Sequence, residues 1–105
     1  PPEQQQKQAA LKQVLDLIWR GTSLDDLEKN LDGVQFRATR EQFFGDQLGV
    51  SSWKFVGPPE GDVQRVSLVF WHETPSYERE DSPPQERTFR VTGGPGNFVV
   101  ESLSQ

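Results

Sequence analysis

The sequence predicts an α+β domain in which two or three N-terminal helices pack on one face of an antiparallel sheet of about four strands. Apolar residues recur at helical spacing in the first third of the chain, and after Gly49 they alternate at a period of two. Helices that come first and strands that follow one another favour segregated layers. At 105 residues the chain suits one domain. We place it at residues 9–105, behind a polar, glutamine-rich lead-in at residues 1–8 that we expect to be disordered.

The first two predicted helices are separated by Gly21. Apolar residues of the first helix share one face at i, i+3, i+4, i+7 spacing; they are Leu11, Val14, Leu15 and Ile18. Gly21 ends this helix because it adopts a left-handed conformation at little cost. Thr22 or Ser23 can cap the second helix, which Gly33 closes. The predicted buried stripe of the second helix is Leu24, Leu27 and Leu31.

The segment between Gly33 and Gly49 is predicted to hold an extended stretch and a third helix. Residues Val34–Arg37 can be extended. Thr39 followed by Gln42 resembles a capping box, in which each side chain binds the backbone N–H of the other residue. We therefore predict a short third helix running from there through Phe44 toward Leu48.

Four strands account for the second half of the chain. They are predicted at Trp53–Val56, Val63–Trp71, Thr88–Thr92 and Phe98–Leu103. The second of them is apolar on both faces, which indicates a central strand. Turn formers at Pro58–Asp62 separate the first two strands, and Gly93–Gly96 closes a second hairpin. The acidic, proline-containing run from Glu73 to Gln85 is predicted to be a long exposed loop.

The composition excludes several classes of chemistry and of partner. The chain has no cysteine, which removes disulfides, thiolate nucleophiles and cysteine-based metal sites. Its net charge of -5 and pI of about 4.8 repel nucleic acid and anionic lipid. No apolar run approaches the roughly 18 to 20 residues of a membrane-spanning helix. We therefore expect no nucleic-acid partner and no transmembrane segment in this sequence.

Residues that could carry chemistry are few, and each has a simpler interpretation. His72 is the only histidine, and beside Glu73 it could act as a general base, although a surface histidine is the commoner case. The acids Glu78, Glu80 and Asp81 lack the glycine and the ligand spacing of a calcium loop, so we interpret them as solvated charge. The sequence therefore predicts no catalytic residues, no cofactor and no metal site.

The aromatic residues leave two interpretations open. The first puts most of them in the core, with Trp19 packing the first helix onto the sheet. The second leaves some of them exposed as a patch that binds a partner. The candidate interaction surface on that interpretation is Trp53, Trp71, Tyr77 and Phe98.

Part of the chain resembles the small lipoprotein domain of the BamE/SmpA type. The residues that carry the resemblance are Gly21-Thr22, Leu24, Leu27, Leu31, Gly33, Trp53-x-Phe55 and Val66–Phe70, within Asp16–Trp71. The resemblance implies two helices on a three-stranded antiparallel sheet, as in β-lactamase-inhibitor-protein-like domains. It also implies a non-enzymatic binding domain that is periplasmic, envelope-associated or secreted. This sequence departs from the family in its longer stretch between Gly33 and Trp53 and in its lack of a lipid-bearing cysteine.

The sequence has no methionine and begins at Pro1-Pro2-Glu3. This favours a processed or trimmed form, with any signal peptide or lipid-attachment cysteine lying upstream. Our leading hypothesis is a non-catalytic domain of an exported or envelope-associated protein that binds another protein through a sheet edge or the aromatic surface. One alternative is a small-ligand or enzymatic domain with a pocket near His72, Glu73 and Tyr77. Another is an accessory module of a longer chain.

Overall fold

The computed structural model describes residues 2–103, which form three α-helices and one six-stranded sheet. The helices are α1 (Pro2–Trp19), α2 (Leu27–Asn30) and α3 (Arg40–Phe44), and a 3₁₀ turn at Leu24–Asp26 leads into α2. The strands are β1 (Val34–Arg37), β2 (Gly49–Glu60), β3 (Val63–Glu73), β4 (Arg79–Asp81), β5 (Gln85–Gly94) and β6 (Asn97–Ser102). The strand order is β1-β6-β5-β3-β2, and β4 pairs with β3.

The predicted α+β class is confirmed, but the sheet differs from the antiparallel sheet of about four strands that the sequence predicts. It has six strands, and β1 and β6 pair in parallel, with Val34 opposite Phe98. The other strand pairs are antiparallel. The extended stretch of β1 was predicted. Its partner was not, because that partner lies more than sixty positions further along the chain and leaves no local pattern.

The segment from Glu73 to Gln85, predicted as one long loop, contains strand β4. Its residues pair with the end of β3, so that Trp71 lies opposite Asp81 and Glu73 opposite Arg79. The strand consists of Arg79, Glu80 and Asp81, all exposed. Charged residues on both faces give no period-two apolar pattern, and for this reason the sequence did not reveal the strand.

Helix α1 begins at Pro2, whereas the sequence predicts a disordered lead-in at residues 1–8, of which Pro1 lies outside the described residues. Long-range contacts hold the early turns of the helix. The Lys7 ammonium pairs with Asp62 at 2.6 Å, and the Gln8 amide donates a hydrogen bond to Gln64 Oε1 at 2.9 Å. A proline suits the first helical position because that position needs no N–H donor.

The core lies between α1, α3 and one face of the sheet. The predicted face of α1 is buried throughout, and with it are buried Phe43 of α3 and alternate residues of the central strand, Val66, Leu68 and Phe70. The ring of Phe43 lies within 6.2 Å, centroid to centroid, of those of Phe36, Phe44, Phe70 and Phe89. Each such side chain contributes about 1.5–3 kcal/mol by leaving water.

Local signals for the short helices are confirmed at their start. The Ser23 side chain accepts the backbone N–H of Asp26, and Thr39 and Gln42 form a capping box. The third helix was predicted to run toward Leu48 but ends at Phe44, because Gly45 takes a positive φ of 56°. Residues 45–48 are therefore not helical, and Leu48 lies directly before β2.

Candidate functional site

A groove of about 600 Å³ opens beside the helix layer, where α1 ends and β2 begins. Its walls come from the C-terminal end of α1, the segment Gly21–Asp25, the start of α3 and the first residues of β2. Large side chains that line it are Trp19, Leu24, Phe44, Leu48 and Trp71. Its floor is formed by Ile18 and Val50, which belong to the buried core. The groove is thus an apolar cleft that is continuous with the interior.

Trp19 stands on the rim of this groove because α1 ends there. Gly21 has a φ of 93°, and the N–H of Thr22 turns back to the carbonyl of Leu17 at 3.0 Å. The Trp19 indole donates a hydrogen bond to the Ser51 carbonyl at 2.9 Å, yet the residue is 52% exposed. The predicted packing of Trp19 onto the sheet is therefore correct only in part, since half of the residue faces solvent.

Trp71 reaches the groove from β3. It follows the buried Phe70, so by strand alternation it starts on the sheet face opposite α1. Gly49 lies directly across from it on β2, and a Cβ on Gly49 would overlap the indole, at 2.8 Å from Cε2. Because Gly49 has no side chain, the Trp71 indole can occupy this space at the end of the sheet. The guanidinium of Arg79 covers the indole at 4.5 Å from the ring centroid.

Leu48 is the second exposed apolar residue that lines the groove. Its backbone N–H donates to the Trp71 carbonyl at 2.8 Å, which ties the residue to the end of β3. The Leu48 side chain lies outside the core, and the residue is 46% exposed. Among residues 2–103, the exposed large apolar residues are Trp19, Leu48 and Tyr77. Two of these three therefore line one groove.

Charged residues at the groove are few and of both signs. Arg40 lines it, with its guanidinium 5.1 Å from the ring centroid of Phe44 and its terminal nitrogens 3.3 and 3.4 Å from the Gln47 carbonyl. Arg79, over Trp71, donates to Ser51 Oγ at 2.9 Å. The lining also contains one carboxylate, Asp25, at the end of the segment Gly21–Asp25. Neither arginine has a carboxylate within 4.0 Å among the described residues.

The four residues of the predicted interaction surface do not form one patch. Trp53 lies on the α1 side of the sheet, and its indole donates to Asp16 Oδ1 at 3.1 Å. Phe98 is half-buried against the core near the other end of the sheet, where it lines a shallow depression beside α1. Tyr77 is 84% exposed at the β3–β4 turn, with a φ of 62° that is rare outside glycine. Only Trp71 lines the groove.

His72 is held by hydrogen bonds at both ring nitrogens. Its Nδ1 lies 3.1 Å from Gln47 Oε1 and 3.2 Å from Ser82 Oγ, and its Nε2 lies 3.0 Å from Glu80 Oε1. These contacts join β3, β4 and the segment that leads into β2. The residues that line the groove do not include His72. The arrangement therefore explains the histidine as a link between strands beside the groove.

Arg87 is a half-buried cation of β5 that packs against two aromatic rings of the core. Its guanidinium lies 5.8 Å from the Phe43 ring centroid and 5.2 Å from that of Phe70. Burial lowers the pKa of Arg87 from its ordinary value. Its Nε has no hydrogen-bond partner within residues 2–103. The side chain packs under α3 and closes the core there.

The groove residues that sequence reasoning missed are Leu48 and Arg40. Leu48 was predicted inside or near a helix, and the exposed conformation depends on Gly45 ending that helix earlier. Arg40 precedes the capping-box partner Gln42, so the sequence marked it only as a helix residue. A signal for Trp19 did exist, because it lies just beyond the i, i+3, i+4, i+7 stripe that ends at Ile18.

Within residues 2–103, no group of three or more His, Cys, Asp or Glu side chains could hold a metal ion. None of the helices in that range is long and apolar enough to cross a membrane.

Comparisons with known proteins add no relative. No protein-family model, curated protein or solved structure matches the chain. The resemblance to the BamE/SmpA type therefore stays a prediction that depends on the residues quoted for it.

Proposed function

We propose that this chain is a non-catalytic interaction domain that binds a segment of another protein in the groove between α1, α3 and the start of β2. The observation that carries the proposal is the joint exposure of Trp19 and Leu48 on the walls of one apolar cleft, next to Trp71. Large exposed apolar side chains that converge on one cleft mark binding sites more often than scattered ones do.

The shape of the groove favours a protein segment over a small molecule. Its volume of about 600 Å³ lies within the range of small-ligand pockets. Such pockets enclose most of their ligand, however, whereas here about half of Trp19 and of Leu48 remains in water. A small molecule on the floor would leave these outer surfaces wet. A protein segment covers both floor and rim, and tryptophan and arginine are the residues in which interface binding energy concentrates.

The proposed setting is an exported or envelope-associated protein. This part rests on the resemblance to BamE/SmpA-type domains, and its test is separate from that of the groove. Expressed from its natural gene with its own N-terminus, the protein is expected in the envelope or the medium, as a shortened or lipidated species by intact mass. An unprocessed cytoplasmic species would remove the proposed setting and leave the groove proposal as it is.

Selection of peptides by the whole 105-residue chain tests the groove. The chain is immobilised and used to select from a phage-displayed library of random linear peptides, and the selected peptides are titrated by calorimetry. We expect Trp19→Ala and Leu48→Ala each to weaken binding by roughly ten- to thirtyfold, as for interface hot spots. The matched control is Tyr77→Ala, which removes an exposed aromatic ring outside the groove.

Thermal unfolding of every variant shows whether the fold is kept. If no peptide is selected whose binding depends on Trp19 and Leu48, the proposal fails. Equal losses for Tyr77→Ala and Trp19→Ala would move the binding surface away from the groove to the β3–β4 turn. A small-molecule library whose hits displace no peptide but depend on Trp19 would favour the ligand-pocket alternative.

A further inference from the structure

Among residues 2–103, Tyr77 is the exposed large apolar residue that lies outside the groove. It is 84% exposed, so the folded chain gains little from burying its ring. Its φ of 62° is an unfavourable conformation for a side chain of this size. Strained residues persist only where the surrounding structure holds them, and they are concentrated at functional sites. An aromatic ring that is both strained and exposed therefore indicates a contact surface.

The β3–β4 turn, residues 74–78, holds this ring rigidly. The Tyr77 N–H donates to the Thr74 carbonyl, and the Thr74 N–H donates to the Glu78 carbonyl, both at 2.8 Å. The Glu78 N–H donates to Thr74 Oγ1 at 3.2 Å. Three hydrogen bonds thus meet at Thr74 and fix the backbone on both sides of the tyrosine. A ring carried by such a turn loses little conformational freedom when it is bound.

The β3–β4 turn and the groove lie at the same end of the sheet. Trp71 lines the groove, and Thr74 follows three residues later, about 10 Å along an extended chain. The exposure of Tyr77 shows that its ring does not fill the groove of its own chain. A second copy turned by 180° can place its turn in this groove and receive the first copy's turn in its own. Identical contacts of this kind close after two copies and do not extend into a filament.

The lining of the groove suits a tyrosine. Its volume of about 600 Å³ is that of a pocket for a drug-sized molecule, so a phenol ring and part of its turn fit inside. Trp19 and Leu48 provide apolar surface for the ring. One cation, Arg40, and one carboxylate, Asp25, also line the groove and together favour neither sign of charge. A phenol hydroxyl is neutral, and it can accept from a guanidinium or donate to a carboxylate.

We infer that the β3–β4 turn of a second copy of this chain occupies the groove when no other protein is bound, and that the two copies exchange Tyr77 about a two-fold axis. The inference rests on the proposed function, because it takes the groove as the binding site. It adds a regulation of that site, since self-association and partner binding then exclude one another. A bound partner converts the dimer into two monomers.

Sedimentation velocity of the 105-residue chain at concentrations up to about 1 mM tests for this dimer, which is weak because its interface is small. Tyr77→Asn removes the ring, and asparagine tolerates the positive φ of the turn. We expect Tyr77→Asn and Trp19→Ala each to weaken dimerisation at least about a hundredfold, tenfold at each of two contacts. Tyr77→Phe is the matched control, because it keeps the ring and should dimerise more strongly than Tyr77→Asn.

A mixture of Tyr77→Asn and Trp19→Ala distinguishes contact between copies from damage to the fold. In the mixed pair, the intact groove of Tyr77→Asn faces the intact turn of Trp19→Ala, so one of the two contacts is complete. The mixed pair should therefore form about tenfold more tightly than either variant pairs with itself. When Trp19→Ala is isotope-labelled, adding unlabelled Tyr77→Asn should shift the amide NMR signals of residues 74–78.

The outcomes separate this inference from the function on which it rests. A chain that stays monomeric, a dimer that Tyr77→Asn leaves intact, or a mixture without signal shifts would overturn the inference. Trp19-dependent peptides selected in any of these cases would still support the groove as the binding site for another protein. Selected peptides that do not dissociate the dimer would overturn the inference too, because turn and peptide would then occupy different sites. A Tyr77-dependent dimer without any selected peptide would support the exchange of turns and remove the proposed partner.

Discussion

Trp53 and Trp71 lie on neighbouring strands and are both half-buried, yet their surroundings differ. Trp53 lies under α1, where it contacts Phe55 at 5.1 Å between ring centroids and donates a hydrogen bond to Asp16. Trp71 extends past Gly49 into the groove, beneath Arg79. Trp53 and Trp71 are therefore similarly exposed but have different surroundings. The difference depends on whether a helix covers the side chain.

The largest expected effect in this comparison is on stability. Trp53→Ala should lower the free energy of unfolding by about 2–3 kcal/mol, less than the roughly 3–5 kcal/mol of a fully buried tryptophan. It removes apolar contact with the core and leaves Asp16 without the indole donor. Trp71→Ala should cost only about 1 kcal/mol, since one side of its ring contacts a solvent-exposed arginine.

Urea unfolding of the two variants measures this difference directly, through the midpoint and slope of each transition. Equal losses for Trp53→Ala and Trp71→Ala would contradict it and place both residues in the core. In peptide binding the order should reverse, with Trp71→Ala weakening the selected peptides and Trp53→Ala having little effect on the molecules that remain folded.

The helices and most strands were readable from the sequence because their signals are local. The apolar stripe of α1, the Ser23 cap and the box of Thr39 and Gln42 each involve residues within one or two turns. The parallel pairing of β1 with β6 depends on residues far apart in the chain. Strand β4 has no apolar face at all. Both were missed because pairing is a tertiary property that overrides weak local patterns.

The groove could be predicted only in part. The number of aromatic residues indicated that some of them could be exposed, and Trp71 was one of the four residues of the predicted interaction surface. Trp53 and Phe98 were chosen with equal reason, because a strand apolar on both faces does not show which face a helix covers. Leu48 owes its place to the early end of α3 at Gly45, and Arg40 to the start of α3 at the Thr39 cap. Such a cleft is formed by segments that meet only in the folded chain.

Gly49→Ala tests the position of Trp71 in the groove without removing any aromatic residue. A Cβ at this position would overlap Nε1 and Cε2 of Trp71, so the indole has to move out of its place in the groove. We expect a stability loss of about 1–2 kcal/mol, as for a modest overpacking change. Binding of the selected peptides should fall by roughly tenfold, because the groove wall is displaced.

Indole fluorescence detected in a Trp53→Phe background reports the displacement more cleanly, since it leaves only Trp19 and Trp71 as emitters. Gly94→Ala is the matched control, as a Cβ there meets no atom within 4 Å and the residue lies far from the groove in β5. If Gly49→Ala changed neither emission nor peptide affinity, Trp71 would have no defined place in the groove and its role there would be wrong.

The smallest expected effect concerns the interactions that stabilise the groove wall, in contrast to those of the core. The core is closed by apolar packing, whereas the 3₁₀ turn at Leu24–Asp26, whose first two residues line the groove, is held by local polar contacts. The side-chain hydrogen bond from Lys29, and after it the one from Ser23, lower the pKa of Asp26 below its ordinary value. A carboxyl whose pKa is lowered by folding stabilises the folded state above its unfolded pKa, and that contribution disappears as the pH falls through its folded pKa.

Asp26→Asn should therefore be less stable than wild type at neutral pH, and this difference should shrink once the pH falls below about 4, where aspartate protonates. The effect is small because Asp26 is exposed and water screens its interactions. Lys29→Gln removes the first donor and should reduce the same pH-dependent difference, and what remains between Lys29→Gln and the double variant reflects the hydrogen bond from Ser23. Unfolding free energies measured from pH 6 downward test this, and a difference that stays constant with pH would show that Asp26 acts only as a neutral hydrogen-bond acceptor.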